Sequence, residues 1–145
     1  MRVLVQRVSS ARVEVEGRSV GAIGVGLLLF VGFGREDSSA LLPAAIRKIL
    51  EMRVFSDSDG KLNLDVREVG GSLLVVSQFT LYANCSRGRR PDFTPAAPPQ
   101  LAEELYDEFV YLLRESPVPV QSGIFAADMQ VSLVNAGPVT FLLEF

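Results

Sequence analysis

The chain has 145 residues, 48% of them hydrophobic and 21% charged, with a net charge of −3, which suits one globular domain carrying its own core, residues 1–145. It contains no histidine and a single cysteine, Cys85, which excludes Ser-His-Asp and Cys-His catalysis, sets aside zinc sites built from several Cys or His ligands, and forbids an internal disulfide. The acidic balance argues against a protein that holds DNA by its overall field, and every apolar run is far shorter than the roughly 18 residues of a membrane span.

The start, "MRVLVQRVSS", alternates apolar and polar residues instead of showing a basic region, an apolar stretch and a cleavage site. With no disulfide required, a cytoplasmic protein is expected. Period-two alternation over Arg2–Val8 and Arg12–Glu16, punctuated by Gly17, predicts an antiparallel meander that continues into "RSVGAIG". Gly26–Phe33 is apolar almost throughout and predicts a strand covered on both faces. From Ala40 to Met52, apolar residues at Leu42, Ile46, Ile49 and Leu50 predict a helix with one buried stripe and Pro43 in its first turn.

"RVF" followed by "SDSDGK" predicts a short strand and a tight turn, and "EVGGSLLVVSQF" a second buried strand. Thr80–Pro99 is a long irregular connection, the kind of segment that carries function. A second amphipathic helix over Pro99–Glu115 buries Leu101, Leu105, Phe109, Leu112 and Leu113 and exposes Glu103, Glu104, Asp107 and Glu108. Two last strands, Met129–Val134 and Val139–Phe145, are joined by "NAGP". The sum is an α+β domain: a mostly antiparallel, barrel-like sheet with two helices packed on it, closing on itself or pairing with a second copy.

Several apparent motifs dissolve on inspection. "GAIGVG" lies between strands and opens no helix, so it does not cradle a nucleotide, and "DSDGKLNLD" lacks the flanking helices and final glutamate of a calcium loop. Cys85 has no evident proton acceptor. Ser77, Gln78, Phe79 and Thr80 stand where a buried strand ends, either as the cap of that strand or as a site made of hydroxyls and backbone. Arg87, Arg89 and Arg90 form either a solvated loop or a phosphate-binding patch. "NAGPVT", read alone, is a turn.

Taken together, "QRV", "IGVGLLLFVG", "DGKLNLDV", "GGSLLVVSQFTL", "GRRPDF", "FAADMQVSLVN" and "GPVT" give the chain a close resemblance to the D-aminoacyl-tRNA deacylase family over essentially its whole length. "SQFTL" and "GPVT" correspond to the family's two signatures. Ala136 stands where the family usually has an acidic residue, and Asp92 where it often has serine.

The resemblance implies a hydrolase that cleaves the ester of D-aminoacyl-tRNA, and of glycyl-tRNA, with no cofactor and no metal. It implies a homodimer formed through the sheet, each site pairing its own catalytic segment Ser77, Gln78, Phe79 and Thr80 with a Gly137-cis-Pro138 element from the partner. Arg7 would hold that element, Phe125 and Met129 would line the pocket of the terminal adenosine, and Arg87, Arg89 and Arg90 would meet tRNA phosphates. Such a site needs no histidine: the ester is activated by its own ribose hydroxyl, and backbone N–H groups near Phe79 and Thr80 can receive the oxyanion. The other reading of the same fold is a catalytically silent dimer that binds RNA or a small ligand.

Overall fold

The computed structural model describes residues 1–145 of the chain. Alternating burial along Arg2–Val15 makes this stretch one strand, β1, with Val3 and Val5 turned inward. Glu16 and Gly17, at φ of 50° and 74°, form the two-residue turn into β2 (Arg18–Ile23), a conformation whose twist matches that of paired strands. β3 (Gly26–Gly32) lies antiparallel to the first half of β1, with Leu27 opposite Arg7 and Val31 opposite Val3.

A single 3-10 turn at Ser39–Leu41 leads into α1 (Leu42–Leu50), which accepts Pro43 in its first turn because no N–H is needed there. β4 (Phe55–Ser56) and β5 (Leu62–Leu64) form a small hairpin, closed by Asp57 Oδ1 accepting the N–H groups of Asp59 and Lys61 at 2.9 and 3.0 Å. β6 (Ser72–Ser77) returns parallel to β3, and a second 3-10 turn spans Phe79–Tyr82. α2 (Pro99–Arg114) then crosses to β7 (Val120–Ser122), parallel to β6, and β8 (Gln130–Glu144) runs antiparallel to β1.

The strand order is β2-β1-β3-β6-β7, with β8 on the other edge of β1. One face of β3 and β6, bearing Leu27, Leu29, Leu73 and Val75, packs on α1 through Ile49 and on α2 through Phe109 and Leu113. The opposite face, bearing Leu28, Leu74 and Val76, is covered by Val8, Ala11, Val13 and Ile23 as β1 and β2 curl over it. Both central strands are thus buried on both sides, as their unbroken apolar runs predict. Each fully buried Leu or Val contributes about 1.5–3 kcal/mol of transfer free energy, and the sheet becomes a nearly closed barrel with two helices on its flank.

The structure differs from the sequence reading in four places. The two opening strands are one, because register shifts between Gln6 and Ser10 bend β1 without breaking its pairing to β8. The two closing strands are also one, and "NAGP" is a bulge inside β8 instead of a turn. β7 is too short to carry a periodic signal. The sheet is mostly antiparallel, as expected, but the pairings β3–β6 and β6–β7 are parallel, each made through a helical crossover that the sequence does not mark.

Candidate active site

Where β6 ends, Gln78 N–H donates to the Val31 carbonyl at 2.7 Å, and the chain turns directly into the 3-10 segment Phe79–Tyr82. The first internal hydrogen bond of this turn is Leu81 N–H to the Gln78 carbonyl, at 3.2 Å. The N–H groups of Phe79 and Thr80 precede it, so they are the orphan donors that every helix start presents. The Gln78 side-chain amide donates to the Thr80 hydroxyl, and both lie at the surface of the turn. None of the four residues Phe79–Tyr82 is buried.

Contacts from outside therefore fix the turn. Arg2 Nη1 donates to the Leu81 carbonyl at 2.9 Å, and its guanidinium lies 4.7 Å from the Tyr82 ring centroid. Arg2 Nε is paired with Glu144 at 2.8 Å, tying the turn to the end of β8. Tyr82 donates to Asp37 at 3.4 Å. Burial, then the Asp37 charge, pushes the Tyr82 phenol up to about 12, and burial also raises Tyr106 well above its ordinary value. Neither phenol is a base near neutral pH.

A cavity of about 450 Å³ is bordered by Ser77, Gln78 and Phe79, by Phe125 and Met129, and by Ala97, just before α2, and Ala102 in its first turn. Three residues of the predicted catalytic segment, Ser77, Gln78 and Phe79, thus share one space with the two predicted adenosine-pocket residues. Phe125 is set by the ring of Tyr106, 5.7 Å away between centroids, and Tyr106 is itself anchored by its hydroxyl on the Val75 carbonyl at 3.0 Å. Thr80 does not line this cavity.

Gly137 and Pro138, joined by a cis peptide bond, lie on β8. Asn135 pairs with Val8 and Thr140 with Gln6, so residues 136–139 bulge out opposite Arg7 alone. The Asn135 side chain closes the bulge: Oδ1 accepts Val139 N–H at 2.7 Å and Nδ2 donates to Thr140 Oγ1 at 2.9 Å. Arg7 Nε donates to the Ala136 carbonyl at 2.8 Å and Nη1 to the Val54 carbonyl at 2.6 Å. Residue 136 contributes only its carbonyl, so the absence of an acidic side chain leaves this clamp intact. At Gly137, with φ of 143°, a Cβ would stand 2.7 Å from Val139 Cγ2 and 2.9 Å from Arg7 Nη2.

The bulge and the cavity of one chain are far apart. Arg7 is opposite Leu27, whereas Ser77 is level with Val31; four residues of strand span about 13 Å. No residue of the bulge borders the cavity.

Arg87, Arg89 and Arg90 are exposed and in no ion pair. They ride on a hairpin whose neck is the reciprocal backbone pair of Asn84 and Asp92, at 2.7 and 3.0 Å. Asp92 Oδ1 accepts from the Thr94 hydroxyl at 2.6 Å and its N–H at 2.9 Å, which lowers the Asp92 carboxyl below its ordinary value. Arg2, Asp37, Asn135 and Tyr106 were not foreseen. Asn before Ala-Gly-Pro was the one available signal, since Asn side chains bond to nearby backbone.

The description of the family model that matches residues 4–144 is D-Tyr-tRNA(Tyr) deacylase. A D-aminoacyl-tRNA deacylase of Alcanivorax borkumensis is 56% identical over 99% of both chains, and one of Saccharophagus degradans is 55% identical over 99% of both. Among solved structures, c-Myc DNA Unwinding Element Binding Protein superposes with a TM-score of 0.93 at 41% identity, covering 100% of this chain and 99% of that one. A probable eukaryotic D-amino acid tRNA deacylase shares the fold with a TM-score of 0.83 at 19% identity, over 98% of this chain and 97% of that one. The chain belongs to the D-Tyr-tRNA(Tyr) deacylase family.

Proposed function

We propose that the protein hydrolyses the ester of D-aminoacyl-tRNA, releasing D-amino acid and tRNA, and so removes residues of the wrong hand before translation uses them. The observation that carries this reading is the start of the 3-10 turn at Phe79, where the leading N–H groups precede the first internal hydrogen bond, on the border of a cavity that Phe125 and Met129 also line. Donors placed at a developing oxyanion are worth about 2.7–4 kcal/mol each in other hydrolases. The terminal adenosine enters between Phe125 and Met129, and the ester carbonyl reaches the N–H groups of the turn. The proton moves through a bound water or the substrate's ribose hydroxyl, since the Thr80 hydroxyl accepts from Gln78 and has no base beside it.

Chirality is read by the Gly137–Pro138 bulge of a second copy. The separation of bulge and cavity within one chain supports donation across a homodimer. β8, an edge strand paired only to β1, exposes Val134, Phe141 and Leu142, at 57%, 39% and 52%, to receive the partner. Main-chain carbonyls of the bulge grip the amine and crowd one side of the alpha carbon, so an L side chain collides while a D side chain points outward. A wall of this kind ignores the end of the side chain and does not refuse glycine, so glycyl-tRNA is also a substrate. Arg87, Arg89 and Arg90 meet backbone phosphates of the tRNA. The partner is the 3' end of a tRNA, met locally, and not long nucleic acid held by the overall field, which a net charge of −3 disfavours, and the work is done in the cytoplasm without a cofactor.

The deciding experiment incubates the purified protein with D-Tyr-tRNA and L-Tyr-tRNA. Release of tyrosine from the D form alone is expected; release from neither would leave a silent RNA- or ligand-binding dimer. Thr80→Val should keep most activity if backbone and RNA groups do the chemistry, and abolish it if Thr80 is a nucleophile.

A further inference from the structure

The Phe79 ring, which borders the cavity, meets Phe93 edge-on, with centroids 5.1 Å apart and planes at 65°. Both are large apolar side chains left in the open, Phe79 at 55% and Phe93 at 38% exposure. Phe93 lies outside the cavity, so the pair extends the cavity's aromatic rim outward, toward the hairpin that carries the arginines. With more than a third of its surface left open, Phe93 is not accounted for by burial alone.

Its backbone is nevertheless pinned on both sides. Asp92 is locked to Asn84 and to Thr94, the Phe93 carbonyl accepts Ala96 N–H at 3.0 Å, and the Thr94 carbonyl accepts Arg35 Nε. The departure at position 92 thus serves as the bracket that holds the ring. An exposed aromatic on a fixed backbone, with unpaired arginines on the adjoining loop, is the combination that single-stranded nucleic acid uses: bases stack on the ring while cations follow the phosphates.

We propose that Phe93 is the stacking platform for the base of the nucleotide that precedes the terminal adenosine. This rests on the deacylase reading, in which the adenosine fills the cavity beside Phe79; the next base along the strand then emerges at the rim where Phe93 stands. Stacking is tolerant of base identity, so the platform serves any tRNA with a single-stranded 3' end.

The test compares two substrates, D-tyrosyl-tRNA and D-tyrosyl-adenosine, which lacks the preceding nucleotide. Phe93→Leu is expected to raise KM for the tRNA by roughly five- to a hundredfold with kcat changed less than about twofold, and to leave hydrolysis of D-tyrosyl-adenosine as in the wild type. Phe93→Trp, which keeps a π face, should retain the wild-type KM for tRNA. Equal losses on both substrates would overturn the proposal by making Phe93 a mere support for Phe79, as would an unchanged KM for tRNA in Phe93→Leu. Hydrolysis of both substrates by the wild type, with either of those results, sinks the platform alone; hydrolysis of neither sinks the deacylase reading and the platform with it.

Discussion

Arg7 holds the Ala136 carbonyl at 2.8 Å from the opposite strand, one residue before Gly137, while a second nitrogen of the same guanidinium holds the Val54 carbonyl at 2.6 Å. The bulge is therefore fixed to the body of the sheet by one planar fork with two targets. A misplacement of about 1 Å in a positioning element can cost on the order of a hundredfold in rate.

Arg7→Ala should lower single-turnover release of D-tyrosine from tRNA by about ten- to a hundredfold, given that sensitivity to position. Arg7→Lys should recover little of it, since one ammonium cannot reproduce two directed guanidinium bonds. Wild-type rates in both variants would show that the clamp does not position the bulge.

Arg2 acts on the other component of the site. It ties the Leu81 carbonyl and the Tyr82 ring to Glu144, holding the turn whose first residue, Phe79, borders the cavity. Arg2→Ala should reduce kcat by about tenfold or more, leaving KM for tRNA nearly unchanged, because oxyanion donors act in the transition state. A rise in KM at constant kcat would place Arg2 in tRNA binding instead.

Gly26 sits where the parallel strands approach most closely: a Cβ there would lie 1.9 Å from the Ser72 carbonyl oxygen and 2.8 Å from Ser72 N. Both are backbone atoms of β6, so no side chain can move aside. Gly26→Ala should cost about 3 kcal/mol or more, beyond ordinary overpacking, read as a lower midpoint in urea. A midpoint equal to wild type would contradict the β3–β6 spacing.

Asp65 is only 6% exposed and accepts from the Arg67 side chain and from the N–H groups of Arg67 and Glu68 at 2.8 and 3.1 Å. The Arg67 hydrogen bond, chiefly, holds its carboxyl below the ordinary value of 3.8. A depressed folded value means stability that is fully present above the unfolded value of about 3.9 and lost as pH falls through the folded one. Asp65→Asn should be less stable than wild type at neutral pH, and the urea midpoints of the two should converge as pH falls through the depressed folded value of Asp65. A constant difference from neutral to acid pH would mean that charge is not what Asp65 contributes.

Element identity was largely legible in the chain itself. Unbroken apolar runs at Gly26–Phe33 and before Ser77 announced strands buried on both faces, and 3.6-residue spacing announced both helices, because burial on one face or two leaves a local periodic imprint. The absence of histidine by itself removes whole classes of catalysis, and the two signatures name the family. What local pattern does not carry is pairing. Parallel partners, the continuity of β1 and β8 through their bulges, and the facing of Arg7 and Ala136, 129 residues apart, arise only when distant strands align.

The same division runs through the site. Ser77, Gln78, Phe79, Phe125 and Met129 could be picked out as residues, yet their gathering around one cavity depended on the crossover that sets α2 and the segment after β7 beside the end of β6. Arg2, Asp37 and Tyr82 carried no signal, since an arginine or tyrosine in an alternating or irregular stretch looks the same whether it is solvated or clamping a turn. Sequence determined which groups exist and which chemistry they forbid, because composition and periodicity are local properties. Tertiary structure decided which backbone N–H groups stay unpartnered and how far the glycine-proline bulge lies from them, because hydrogen-bond satisfaction and distance are properties of the whole packed chain.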